Sequence, residues 1–199
     1  MRSYYGLSAM QKGKVNSVLL ATWIVSAAFA QPRSIDTAKS TVTVRVYKSG
    51  VFSALGHNHE ISAPIADGKV DTMARQVELR VDTRTLKVLD PGVSEKDRAE
   101  TQKVMLGSEV LDAEARPSIV FRSTSAEAAG TGAWKLHGSL TLYGQTQTVD
   151  VDVREEGDHY VGASRFKQTA FGIQPVKVAG GTIRVKDEIR IEFNIQLKH

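Results

Sequence analysis

The longest strict alternation in the chain lies at its C-terminal end, where Ile189, Ile191, Phe193, Ile195 and Leu197 interleave with Arg190, Glu192, Asn194, Gln196 and Lys198. Successive side chains of an extended backbone point to opposite faces, so this run predicts a strand with one dry and one wet face, and it has the wrong period for a helix. The pattern recurs in Val42, Val44 and Val46, in Val77, Leu79 and Val81, and in Val149, Val151 and Val153, each set interleaved with polar residues. Less regular strands are expected at Glu60–Ile65, Gly68–Thr72, Ser118–Thr124, Trp134–Tyr143 and His159–Gln168, separated by Gly, Asp and Pro residues that favour turns. Gly180-Gly181 reads as a further hairpin turn.

One stretch departs from this pattern. Pro91-Gly92 breaks the chain, Ser94-Glu95-Lys96-Asp97 offers a capping box, and helix-favouring residues follow as far as Gly107. The expectation is therefore an all-β, antiparallel chain of about eight strands carrying one helical insert. Strands with one apolar face must close on themselves or stack as two sheets, because open edges invite aggregation. A barrel and a sandwich both satisfy that demand.

The first thirty residues do not fit the alternation. Lys12 and Lys14 precede an apolar run from Val18 that ends in Ala28-Phe29-Ala30, the arrangement of an export signal with cleavage between Ala30 and Gln31. The run is shorter than the roughly 20 apolar residues needed to span a bilayer. Residues 1–30 are thus expected to be a signal peptide and 31–199 a single domain, which places the mature protein in the periplasm. Removing Arg2, Lys12 and Lys14 takes the formal net charge from +4 to +1, leaving no broad basic face for a phosphate backbone, so nucleic acid is not an expected partner. The chain contains no cysteine, which excludes disulfides, thiol nucleophiles and thiolate metal sites.

Sharper chemistry finds little support. There is no HExxH helix and no Gly-x-Ser-x-Gly elbow. His57 and His59 lie on one side of an extended segment, and His137 or His159 is a candidate third ligand for a metal, which keeps a small-molecule enzyme or metal-dependent hydrolase as an alternative. No catalytic residue, metal or cofactor is assigned.

Several segments together resemble the YceI-like family: Leu111-Asp112 with Pro117, Ile119 and Phe121; the hairpin Gly138-Ser139-Leu140-Thr141-Leu142-Tyr143-Gly144-Gln145-Thr146; the turn Phe171-Gly172-Ile173; and Gly56-His57-Asn58-His59. Three residues depart from the family's usual pattern: Arg116 for an aromatic, Thr148 for a proline and Ala170 for an aspartate. The resemblance spans about residues 35–198 and implies a lipocalin-like, eight-stranded antiparallel barrel, with a polyisoprenoid or isoprenoid quinone as ligand in some members. In a closed barrel the inward side chains would include Val42, Val44, Val77, Leu79, Val81, Ile119, Phe121, Leu140, Leu142, Ile191, Phe193 and Ile195. All of these except Ile195, together with Trp134, form the expected ligand-binding set, and Trp134, His57, Asn58 and His59 are candidates for the mouth. The leading expectation is a non-catalytic carrier of a long-chain isoprenoid lipid or quinone, with transient membrane contact allowed. The same side chains could instead simply fill a small barrel, as in a ligand-free structural or stress protein.

Overall fold

A computed structural model describes residues 31–49, 58–178 and 183–198. The strands are β1 (Arg33–Ser34), β2 (Thr41–Ser49), β3 (His59–Ser62), β4 (Ile65–Asp71), β5 (Gln76–Asp82), β6 (Lys87–Val88), β7 (Ser118–Gly130), β8 (Ala133–Leu142), β9 (Gln145–Glu156), β10 (His159–Lys167), β11 (Lys177–Val178) and β12 (Ile183–Gln196), and the helix α1 is Glu95–Leu106. The segment around Gly180-Gly181 lies outside the described residues.

The strands form one antiparallel sheet in the order β1-β4-β5-β7-β8-β9-β10-β12-β2-β3-β6, and β11 pairs with β12. The sheet curls strongly, because β3 and β4 are separated only by Ala63 and Pro64 yet stand near opposite margins of that order. A proline contributes no N–H to a ladder, so the extended segment expected over Glu60–Ile65 divides there, pairing first with β2 and then with β5. The N-terminal segment draws the margins together: Ile35 N–H donates to Gly68 O at 2.9 Å, Asp36 N–H to Gln196 O at 2.8 Å, and Lys198 N–H to Ser34 O at 2.9 Å.

The count of eight strands is corrected to twelve among the described residues, of which eight have seven or more residues and four have only two to four. Two residues cannot display a period, so such strands are invisible to alternation. β7 also runs on to Gly130, beyond its expected end at Thr124, because its distal half is held by the register Ala126↔Leu136 and Ala128↔Trp134 rather than by its own pattern.

The two ends of the curled sheet are filled differently. Ile35, Ile65, Ile195 and Leu197, none more than 6% exposed, form an apolar plug at one end. At the other end Met105 of α1 and Leu111 just after it cluster with Phe171 and Ile173, which come from the turn that follows β10. α1 begins as its capping sequence predicts, with Asp97 N–H donating to Ser94 Oγ at 3.2 Å. Gln102 joins the helix to β6, accepting from Val88 N–H and donating to Leu86 O, both at 2.7 Å. Arg116 covers a ring: its guanidinium lies 4.0 Å from the centroid of Tyr143.

Candidate functional site

Between the plug and the helix the inward faces of the strands enclose a cavity of about 800 Å³. Its wall is almost wholly apolar, because the alternation of β2, β5, β8, β9, β10 and β12 sends aliphatic and aromatic side chains to this one side. Many of them, Val42 and Val44 for example, are only half-buried, since they face open space rather than a packed neighbour. Of the twelve residues expected to bind ligand, eleven line the cavity and Trp134 does not. Trp134 stands next to the β7–β8 turn, at the opposite end of β8 from Leu142, and packs half-buried against the rim of the core. It is therefore remote from the helix end, where Tyr143 Oη donates to Ser108 O, and cannot share a mouth with His59.

Two glycines keep this space open. Gly138 and Gly162 occupy inward positions on β8 and β10; a Cβ on the first would meet Phe121 Cε2 at 2.5 Å, and one on the second Phe193 Cζ at 2.5 Å. Each phenylalanine ring thus takes up space beside the backbone where a side chain would otherwise stand, and both rings line the cavity.

Polar side chains gather at the helix end, where Tyr47, Lys48 and His59 from β2 and β3 meet Asp97 and Thr101 from α1. His59 is the inward residue that precedes Ile61 and Ala63 in the same alternation, and it is paired across the ladder with Val46. Its Nδ1 lies 2.6 Å from Asp90 Oδ2, and Glu60 N–H donates to Asp90 Oδ1 at 2.7 Å. The Asp90 side chain is 1% exposed and that of His59 27%, so a sequestered carboxylate holds a ring that reaches the cavity. Asn58 accepts from Lys48 N–H through Oδ1, whereas His57 lies outside the described residues.

Deeper polar groups are satisfied by backbone. Ser164 Oγ donates to Asp150 O at 2.6 Å and Gln168 Nε2 to Lys186 O at 2.7 Å. Near the plug, burial raises the Tyr160 phenol above its ordinary range. The other candidate metal ligands face elsewhere. His137 follows an inward leucine and so points outward, where its hydrogen bond to Asp150 at 2.6 Å raises its pKa; His159 bonds Asn194 at 2.7 Å. Among the described residues no group of three or more His, Cys, Asp or Glu side chains is placed to hold a metal ion.

Sequence reasoning missed part of the lining. Val149, Val151 and Val153 belong to a run already legible as a strand, and their parity alone could have added them. Asp90 carried no such signal, because its link to His59 spans 31 residues and depends on β6 pairing with β3.

Comparison with known proteins places this geometry in context. The YceI-like domain model matches residues 34–197. A UPF0312 protein of Vibrio cholerae is 26% identical over 178 residues, covering 83% of this chain and 88% of the relative. A UPF0312 protein of Shewanella oneidensis is 25% identical over 172 residues, covering 80% and 84%. The crystal structure of BcnA from Burkholderia cenocepacia superposes with a TM-score of 0.59 at 22% identity, covering 81% of this chain and 98% of BcnA, which establishes likeness of fold.

Proposed function

Because this chain belongs to the YceI-like family, we propose that it is a non-catalytic binding protein that carries a long-chain isoprenoid lipid, a polyisoprenoid or an isoprenoid quinone, in its lumen. The observation that carries the reading is the apolar cavity of about 800 Å³, within the range typical of ligand pockets and too large to be a packing defect in an interior as dense as a protein's. Taken with β3 and β4 as one strand bent at Pro64, the wall has eight staves, the number at which a closed barrel can admit one slender ligand.

Burying about ten methylene equivalents at roughly 0.8 kcal/mol each contributes on the order of 8 kcal/mol before association costs, so the tail would dominate affinity. The apolar lining offers chemistry to a hydrocarbon chain and almost none to a reacting centre, which favours carriage over catalysis. The export signal read in residues 1–30 would deliver the carrier to the periplasm, where a lipid tail needs shielding from water.

The test is to express the full precursor in a Gram-negative host, purify the exported protein without detergent, and analyse an organic extract by mass spectrometry. An isoprenoid recovered in about one-to-one ratio is the expected result. A clean extract from protein that also fails to take up added prenols would refute the reading.

A further inference from the structure

The hydrogen bonds around Asp90 decide which atom His59 presents to the cavity. A carboxylate only accepts, and Asp90 uses Oδ1 for Glu60 N–H at 2.7 Å and Oδ2 for His59 Nδ1 at 2.6 Å. The ring proton therefore sits on Nδ1, and in the neutral imidazole Nε2 carries a lone pair. Among the described residues Nε2 of His59 has no hydrogen-bond partner, although its side chain is only 27% exposed and lines the cavity. Asp90 itself is held at φ 27°, with its side chain 1% exposed, so this acceptor is built into the wall and does not belong to a freely rotating surface residue.

The charges around it argue for a neutral partner. Lys48 and Arg184 from the strands and Asp97 and Glu100 from α1 line the same cavity, and Asp90 adds a further negative charge behind the ring, so the mouth lacks the cationic excess that a phosphate requires.

Resting on the carrier reading above, we propose that His59, oriented by Asp90, is the head-group anchor of the lumen and accepts a hydrogen bond at Nε2 from the hydroxyl of a neutral lipid, a prenol or a hydroquinone. A phosphorylated lipid, or a head group that can only accept, is disfavoured at this position.

The experiment compares geranylgeraniol with its methyl ether, which shares the tail but has no donor, by equilibrium binding at one fixed pH. Wild type should prefer the alcohol by about threefold to tenfold, the worth of one net hydrogen bond. In His59→Ala both probes should bind with the ether's affinity. In Asp90→Asn the amide keeps its oxygen on Glu60 N–H and offers N–H to Nδ1, forcing the ring proton onto Nε2, and the preference should then vanish, because the alcohol and ether oxygens both accept from a ring N–H. Equal binding of alcohol and ether by wild type, or a preference that survives His59→Ala, would overturn the anchor while leaving the carrier intact. Binding of neither probe by wild type would overturn both. The wild-type ratio decides even where a variant fails to fold, and ether binding reports folding in each variant.

Discussion

Gly162 sits where β10 faces the lumen, and a Cβ there would run into the Asp152 carbonyl as well as the Phe193 ring. Backbone cannot yield as a flexible side chain can, so Gly162→Ala should destabilise the protein by about 1–3 kcal/mol, the usual cost of overpacking. It should also push Phe193 off the wall and reduce lipid uptake. Urea denaturation and prenol binding check both, and unchanged stability with unchanged uptake would show that the ring is not held by this contact. Residue by residue, the sequence was most legible where a side chain's fate depends on its own strand: Val42, Val44, Leu79, Leu140 and Ile191 face the cavity because of parity alone. It was least legible for Trp134, whose position depends on how far the enclosed length of β8 reaches, and for the space above Gly138 and Gly162, which depends on neighbouring strands.

Among the elements, the passage from β5 to β6 shows how a short turn reaches the site. Asp82 ends β5 and accepts from Arg84 N–H at 3.0 Å and from its guanidinium at 2.9 and 2.6 Å, capping the turn Thr83–Thr85 that delivers β6 to β3 and hence Asp90 to His59. These bonds to Arg84 lower the Asp82 pKa from an ordinary 3.8 to about 2. A carboxylate whose folded pKa is depressed contributes stability above its unfolded value and loses it as pH falls through the folded one. The stability difference between wild type and Asp82→Asn should therefore be full above about pH 4 and shrink between about pH 4 and 2, as urea denaturation across that range would read. A difference independent of pH would mean that the ion pair is not what the cap contributes. Of the elements themselves, α1 was readable from Ser94 to Gly107 because capping is local, while β6 was not, because a two-residue strand exists only through its partner.

For the whole molecule, a hollow interior makes stability depend on what fills it. A ligand that binds only the folded state at a hundred times its Kd adds about 2.7 kcal/mol, so protein extracted free of lipid should unfold at a lower temperature and regain its midpoint when prenol is returned. Equal midpoints before and after extraction would mean that the lumen is emptied at no cost and that nothing resident stabilises it. At this scale the alternation along β2, β5, β9 and β12 pointed by itself to an antiparallel β chain with one dry face, and the capping box to one helix that interrupts it, since both follow from contacts between near neighbours in sequence. Whether the dry faces meet or leave a space of about 800 Å³, where Pro64 turns one strand into two, and that Asp90 stands behind His59 were decided only by tertiary structure. Each of these depends on distances between segments remote along the chain, and a period of two says which way a side chain points but not how far away the opposite wall stands.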